Sequence, residues 1–248
     1  MNQSFYTGAL GAGSFATKLG VMANNLANVN NNGYKAKTAA FTDLLNYNLN
    51  DSEDAVTNLM AGNGVRMQRT YTDFSTDSVT ASNSFLDFAI MQDHAFFMVR
   101  DPETEAITYT RSGHFHRGDM DGTFYLMTDS NKLVLDEDGE PIEVARLEEG
   151  SQEYVDITEN TPGVYTFTNP SRLLSVGDNE FAPTENAQGM EPILVENPAL
   201  VNKVLETSGT DVAKEMVSVI ECQRAFSYAL KMVTTSDEIE STINSLRG

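Results

Sequence analysis

Several residue types that dictate a particular chemistry are nearly missing from this sequence. Cys222 is the only cysteine among 248 residues, so an intrachain disulfide and a cysteine-based metal cluster are both excluded. No apolar run approaches the roughly 18 to 20 residues of a membrane span, and the first ten residues lack the features of a cleavable signal peptide. The sequence therefore fits a cytosolic protein or one exported by a non-standard route, stabilised by packing or by assembly.

Positive charge is also scarce and is unevenly placed. The chain has 16 Lys and Arg against 36 Asp and Glu, a formal net charge of −20, which disfavours nucleic acid and membrane surfaces as partners. Residues 1–42 carry +3 and residues 208–248 carry −2, and subtracting both from −20 leaves −21 on the middle segment. We therefore predict that the middle segment faces solvent and that the two ends face other protein surfaces.

Proline is absent from both ends, since all seven prolines lie between Pro102 and Pro198. Long helices are therefore possible at each end. At the amino-terminal end, apolar residues repeat with spacings of three and four, a narrow seam typical of coiled coils. The seam consists of Ala9, Ala12, Ala16, Leu19, Ala23 and Leu26, with Met22 and Val29 beside it. The run from Asn28 to Gly33 predicts the end of this helix, because Asn and Gly tolerate a left-handed backbone.

A second helix is predicted from about Gly209 to about Leu246. Ser208 and Asp211 have the spacing of a capping box at its start. The three-four pattern then continues through Val212, Met216, Val219, Gln223, Phe226, Leu230 and Val233. Gln223 lies on this apolar stripe, either as an exposed edge of the seam or as a polar residue that fixes subunit register.

The middle of the chain changes to alternating patterns separated by turns, which predicts strands near residues 106–110, 123–127 and 132–136. Turn signals occur at Asp121-Gly122, Asp138-Gly139, Thr161-Pro-Gly163 and Asn169-Pro170. The predicted fold class is α+β, with a coiled-coil terminal domain from both chain ends and a central, mainly antiparallel β-domain. The predicted boundaries are an amino-terminal helix in 1–42, an extended connector in 43–74, the β-domain in 75–205 and a carboxy-terminal helix in 206–248.

The amino-terminal helix has too little apolar surface to order itself. Fixing one backbone residue costs about 1 to 2 kcal/mol, and each of Gly8, Gly11, Gly13 and Gly20 costs about 1 kcal/mol more than alanine in a helix. Small residues do permit close helix packing, so neighbouring subunits could supply the missing stabilisation. An intramolecular two-helix hairpin on the β-domain is an equally open interpretation of the pattern.

Motifs at both ends resemble one known family. At the amino-terminal end they are Asn24-Asn-Leu-Ala-Asn28, Asn32-Gly-Tyr-Lys35 and Phe41-Thr-Asp-Leu-Leu45, similar to the signature of flagellar rod and hook proteins. The carboxy-terminal signature is matched by Leu205-Glu-Thr-Ser208, Asp211-Val-Ala-Lys-Glu-Met216, Gln223-Arg-Ala-Phe226, Lys231 and Thr235-Ser-Asp-Glu238. Segments in the middle of this chain resemble the start of that family's β-domain, and they are Leu86-Asp-Phe-Ala-Ile90, Phe96-Phe97, Tyr109-Thr-Arg111, Gly113 and Phe115. Two local departures are Met91-Gln-Asp-His-Ala95, where the family has a glycine-rich turn, and Gly209-Thr210, where Asn-Val is usual.

This resemblance implies a bacterial flagellar basal-body rod subunit, proximal or distal, whose terminal helices form an inner tube that transmits torque. The implied partners are copies of itself, homologous rod and hook subunits, and the flagellar type III export apparatus. We expect the protein in the basal body, exported to the cell envelope, with no bound nucleic acid and no membrane insertion. The predicted assembly interface consists of Leu19, Met22, Asn24, Asn25, Leu26, Asn28, Gly33, Tyr34, Val219, Gln223, Arg224, Phe226, Leu230 and Val233.

The same sequence also leaves other functions open. The alternatives are a secreted β-rich adhesin or carbohydrate binder, the hook protein of the same axial family, and a hydrolase using two carboxylates of the acidic middle. Gly11, Gly13 and Ala16 mimic a dinucleotide fingerprint, but no strand precedes them. His114 and His116 are an incomplete metal set. We therefore predict no enzyme activity, no cofactor and no catalytic or metal site.

Overall fold

The computed structural model describes residues 3–44, 47–48, 60–120, 122–144, 161–184 and 190–247. Leu45 of the amino-terminal signature, residues 49–59 of the predicted connector and Asp121 of a predicted turn lie outside the described residues. The chain divides into two compact units. Unit 1 comprises Met1–Ala27, Lys37–Tyr71 and Asp211–Gly248, and unit 2 comprises Asn28–Ala36 and Thr72–Thr210. The boundaries drawn from the sequence stay a prediction.

Unit 1 is built on two long helices. Helix α1 spans Gln3–Ala27 and helix α2 spans Val212–Arg247, which confirms a long helix at each end. Four strands accompany them, namely β1 (Lys37–Asp43), β2 (Tyr47–Asn48), β3 (Met60–Ala61) and β4 (Val65–Thr72). Strand β1 pairs with β4, and β2 pairs with β3.

Helix α2 begins three residues later than the sequence predicts. The cap is Asp211, whose carboxylate accepts a hydrogen bond of 3.1 Å from the Lys214 backbone N–H, as an N-cap residue does. Ser208 lies before the helix, where its hydroxyl accepts a bond of 3.3 Å from the Thr210 N–H. The predicted capping box is therefore wrong, because Asp211 is the capping residue itself and not the partner of Ser208.

Unit 2 is a β-unit with thirteen described strands. They are β5 (Val79–Ala81), β6 (Phe88–Ile90), β7 (Ala95–Arg100), β8 (Ile107–Thr110), β9 (Phe115–Met120), β10 (Thr123–Thr128), β11 (Leu133–Val134), β12 (Val164–Thr166), β13 (Leu174–Gly177), β14 (Glu180–Ala182), β15 (Ile193–Leu194), β16 (Leu200–Asn202) and β17 (Val204–Glu206). Strands β8, β10 and β11 confirm the three predicted strands.

The main sheet of unit 2 has the strand order β13-β14-β8-β7-β11-β10-β9, and β12 pairs with both β7 and β15. Neighbouring strands such as β7 and β8 run antiparallel, and so do the separate pairs β6 with β16 and β5 with β17. This confirms the predicted antiparallel β region between two terminal helices. The coiled-coil character of those helices stays a prediction.

Strand β7 shows why this unit holds together. Its residues from Ala95 to Val99 are all buried, because Ala95, Phe97 and Val99 face one apolar cluster while Phe96 and Met98 face another. An uninterrupted apolar run is what a strand needs when both of its faces are covered. The turn before β7 departs from the glycine-rich form of the resembling family, and His94 there has a φ of 59°.

Candidate functional site

Helices α1 and α2 of unit 1 form an antiparallel hairpin. Near one end, Asn25 Nδ2 donates a hydrogen bond of 2.9 Å to Glu215 Oε1. Near the other end, the hydroxyl oxygens of Ser4 and Ser236 lie 2.9 Å apart. The sequence left an intramolecular hairpin and an intermolecular assembly open, and the structure pairs the helices within one chain.

Small residues bring the two helices together. A Cβ on Gly8 would lie 3.1 Å from Val233 Cγ2 and 3.2 Å from the Ala229 carbonyl oxygen. A Cβ on Gly11 would lie 3.9 Å from the Ala229 Cβ. Gly8 and Gly11 thus give α1 the close approach that larger side chains would prevent. Gly13 and Gly20 point elsewhere, since a Cβ on either would meet no atom within 4 Å.

The contact row on α2 is offset from the apolar stripe seen in the sequence. The residues of α2 that are buried or half-buried form a stripe along one side of the helix, and they are Glu215, Ser218, Val219, Cys222, Ala225, Phe226, Ala229, Val233 and Ser236. Cys222, Ala229 and Ser236 are small and were not part of the predicted stripe. Among the predicted residues, Met216, Gln223 and Leu230 are exposed. The hairpin therefore combines small residues of α2 with Val219, Phe226 and Val233 in its own contact and leaves Met216 and Leu230 outside.

The hairpin buries very little apolar surface. Among the described residues of unit 1, the buried apolar side chains are Ala12, Met22 and Cys222. The Cys222 thiol donates to the Phe15 carbonyl oxygen at 3.4 Å, and burial raises the pKa of this thiol. A folded unit of this length normally buries many more large side chains.

Thirteen large apolar side chains on the two helices are exposed. They are Phe5, Tyr6, Leu10, Val212, Met216, Val217, Ile220, Tyr228, Leu230, Met232, Ile239, Ile243 and Leu246. On α2, Val212, Met216 and Ile220 form one row with a spacing of four, while Tyr228, Met232, Ile239, Ile243 and Leu246 form another. Contiguous apolar patches of this kind mark surfaces that bind other proteins.

The residues predicted as assembly interface fall into three groups. Met22 and Asn25 are buried within the hairpin, and Leu19, Leu26, Val219, Phe226 and Val233 are half-buried. Asn24, Gln223, Arg224 and Leu230 are exposed on the helices. Asn28, Gly33 and Tyr34 belong to unit 2, where Gly33 and Tyr34 are buried. Their roles between subunits stay a prediction.

Asn25 uses its side chain to fasten α1 to the strand that follows it. Its Nδ2 donates to the Lys37 carbonyl oxygen at 2.8 Å, and its Oδ1 accepts from the Lys37 N–H at 2.9 Å. Together with the bond to Glu215, this side chain joins α1, β1 and α2. The second asparagine of the amino-terminal motif therefore has a structural reason for its residue type within this chain.

Unit 2 contains a buried ion cluster that sequence reasoning missed. The Glu206 carboxylate accepts from Lys35 Nζ at 2.7 Å and from Arg111 Nε at 2.6 Å, and all three side chains are at most 1% exposed. Lys35 also pairs with Asp77 at 2.7 Å, and Arg111 Nη1 donates to the Gln92 and Ala95 carbonyl oxygens. These ion pairs and hydrogen bonds fix the positions of Lys35, Arg111 and Glu206 relative to one another.

The cluster unites one residue from each of three motifs. Lys35 ends the Asn32-Gly-Tyr-Lys35 motif, Arg111 ends the Tyr109-Thr-Arg111 motif, and Glu206 lies in the Leu205-Glu-Thr-Ser208 motif. The signal available in the sequence was the presence of a charged residue in each motif. Nothing local indicates that the three meet, since Glu206 is 171 residues from Lys35 and 95 residues from Arg111.

Backbone contacts reinforce the same region of unit 2. The Gly33 N–H donates to the Glu206 carbonyl oxygen at 2.8 Å, and the Gly209 N–H donates to the Tyr34 carbonyl oxygen at 2.9 Å. Gly33 has a φ of 64°, and a Cβ there would lie 2.6 Å from the Arg111 carbonyl group. Glycine is therefore required at this position for conformation and for space.

The structure gives no support to the dinucleotide-like motif or to a metal site at the histidine pair. Gly11, Gly13 and Ala16 lie inside α1 and not in a strand-to-helix turn. His114 Nδ1 lies 2.9 Å from Asp87 Oδ1, and the described residues contain no group of three or more side chains that could hold a metal ion. In that same part of the chain, no helix combines the length and the apolar character needed to cross a bilayer.

Comparison with known proteins gives a consistent result. Residues 201–246 match the family model described as flagellar basal body rod FlgEFG protein, C-terminal. The chain is 30% identical to the flagellar basal-body rod protein FlgG of Buchnera aphidicola subsp. Schizaphis graminum, over 99% of this chain and 100% of that protein. It is 29% identical to FlgG of Bacillus subtilis over the full length of both chains, and 24% identical to the flagellar hook-basal body complex protein FlhP of the same species.

Proposed function

Since this chain belongs to the flagellar basal-body rod protein family and is a structural subunit of the basal body, we propose that its terminal helices assemble subunits into a shaft. Neighbouring copies and homologous axial subunits would cover the apolar rows of α1 and α2. The shaft would transmit torque through these contacts. The predicted passage through the flagellar type III export apparatus belongs to the same proposal.

The observation that supports the proposal is the imbalance on the hairpin. Three buried apolar side chains stand against thirteen large exposed ones on the described helices. Burying one such side chain contributes about 1.5 to 3 kcal/mol, so covering most of the thirteen by neighbours outweighs the roughly 4 to 15 kcal/mol that association costs. The exposed part of these side chains does not stabilise an isolated subunit, but it would stabilise an assembled one by becoming buried.

A substitution at Ile220 tests this proposal. Ile220 is 51% exposed on α2, so a change there leaves the contacts between α1 and α2 intact. Ile220→Glu should still give a folded chain by circular dichroism but should block incorporation into basal bodies and abolish swimming, because a charge would be buried at a subunit contact. Ile220→Met keeps an apolar side chain of similar volume and should incorporate normally. Normal swimming of the Ile220→Glu strain would refute an assembly role for this surface.

A further inference from the structure

Helix α2 is longer than the helix beside it. The contacts between α1 and α2 run from the Asn25–Glu215 pair at one end to the Ser4–Ser236 pair at the other. Beyond Ser236, α2 continues from Asp237 to Arg247, a distance of about 16 Å at 1.5 Å per residue. We call residues 237–247 the overhang. Every overhang residue from 237 to 246 is exposed.

The overhang is an amphipathic and acidic helix end. Ile239, Ile243 and Leu246 share one face at spacings of four and three, and Leu246 is 83% exposed. Glu238 and Glu240 lie on opposite flanks of this apolar row, at 100° per residue. Such a segment is suited to a groove with an apolar floor and a positively charged rim.

Unit 1 has a groove of that description between α1 and β4. Tyr6 and Leu10 form one wall and Met67 lies on the other, while Gly13 leaves the floor without a side chain and Arg66 stands among the lining residues. The Ser14 hydroxyl donates to the Val65 carbonyl oxygen at 3.2 Å and joins α1 to β4 there. Arg66, which lines this groove, is exposed and supplies its positive charge. A floor that lacks a Cβ allows a helix to lie close, as Gly8 and Gly11 do for α2.

The groove cannot receive the overhang of its own chain. Groove residues 6–17 of α1 lie alongside the paired part of α2, whereas the overhang points away from them, past the Ser4–Ser236 contact. A return would require a sharp break, and α2 contains neither Gly nor Pro. The occupant must therefore come from another molecule.

We infer that the overhang of one copy docks in the α1–β4 groove of a second copy of this chain. The inference rests on the proposed function, because it names the surfaces by which copies join. Ile239, Ile243 and Leu246 would fill the apolar floor, and one of the two flanking carboxylates, Glu238 or Glu240, would face Arg66. The overhang and the groove are different surfaces of the same molecule, so a pair of joined copies still has one unoccupied groove and one undocked overhang. Such heterologous contacts produce open filaments.

Disulfide trapping between copies tests the inference. Two differently tagged full-length chains, one with Leu10→Cys and one with Ile243→Cys, are expressed together in a bacterium lacking its own copy. After oxidation of isolated basal bodies, the mixed dimer should be about tenfold more abundant than with Leu10→Cys plus Tyr228→Cys, because docking raises the local thiol concentration. Tyr228 is the matched control, since it is 69% exposed on α2 but lies outside the overhang. Chains with a single introduced cysteine measure the contribution of Cys222.

Charge exchange provides a second test on the same surfaces. Arg66→Glu should lower the yield of the mixed dimer by about tenfold, since it places like charges together, and adding Glu238→Lys and Glu240→Lys should restore it. Motile cells with intact rods and no excess of mixed dimer over the Tyr228 control would overturn the docking alone. A tagged chain of native sequence that restores no rod would overturn the proposed function itself.

Discussion

Glu206→Gln should strongly lower the free energy of unfolding of unit 2, although it hardly changes the shape of the side chain. The carboxylate accepts hydrogen bonds from Lys35, from Arg111 and, at 2.8 Å, from the Asp77 backbone N–H. Without the Glu206 charge, Lys35 retains only the Asp77 carboxylate, whose side chain is 29% exposed, and Arg111 retains its bonds to uncharged backbone and hydroxyl oxygens. Removing one partner of a buried ion pair costs about 3 to 5 kcal/mol, a large fraction of the 5 to 15 kcal/mol that stabilise an ordinary domain.

Urea unfolding of the full-length chain measures this loss. With a slope of about 2 kcal/mol per molar urea, the midpoint of unit 2 should fall by about 1.5 to 2.5 M. Hydrogen exchange should locate the loss, with faster exchange at Gly33 and Gly209, whose N–H groups bond within this region. Glu196→Gln makes the same chemical change at an exposed position and should shift the free energy of unfolding by less than about 0.5 kcal/mol.

A double substitution tests the charge pairing between Lys35 and Glu206. Lys35→Met removes one of the buried cations, so adding it to Glu206→Gln should cost less than the sum of the two separate losses. A free energy of unfolding for Glu206→Gln within 1 kcal/mol of the native chain, or strict additivity of the two changes, would refute the reasoning that the cluster is held by charge pairing.

Three further measurements follow from the structure. Gly33→Ala should destabilise unit 2 by at least about 2 kcal/mol in urea, since it adds a clash to an unfavourable φ; Gly122→Ala, with a φ of 84° but no atom near its Cβ, should cost only about 1 kcal/mol. Burial raises the pKa of Tyr109 to about 12 from an ordinary value of 10.0, so the folded state holds its proton longer and stability should fall between these pH values. Tyr109→Phe should remove that loss of about 1 to 3 kcal/mol, which urea unfolding at pH 9 and above pH 11 measures as the change in the free energy of unfolding. The same change with pH in the variant as in the native chain would contradict this prediction. Alkylation of Cys222 should be fast in dilute monomer and at least about tenfold slower in assembled rods, because few buried side chains hold the hairpin closed. Equal protection in monomer and rod would refute assembly-coupled ordering, as would slow hydrogen exchange over α1 and α2 in the monomer.

Elements whose causes are local could be predicted from the sequence. Helix α1 ends at Ala27, just where the run from Asn28 to Gly33 begins, and Gly33 has the positive φ that glycine permits. Strands β8 and β10 follow the alternating residues that predict them. In each case the deciding residues are neighbours in the chain.

The buried ion cluster could not be predicted, because its cause is not local. Lys35 follows a turn and looks like an ordinary surface lysine, and a single carboxylate in an acidic chain has no special appearance. Only the fold brings Lys35 and Arg111 each within 3 Å of the Glu206 carboxylate. The motif resemblance contained these residues without indicating why their types matter.

The offset of the contact row on α2 has a physical reason that bears directly on function. The sequence pattern predicts a contact stripe that contains Met216, Gln223 and Leu230 as well as Val219, Phe226 and Val233. The structure leaves the first three exposed, keeps the other three half-buried, and adds the small residues Cys222, Ala229 and Ser236 to the side that faces the glycines of α1. A self-sufficient hairpin would bury most of its large apolar residues. This hairpin leaves thirteen of them exposed, and the arrangement is favourable only where other subunits supply the surfaces that these side chains need.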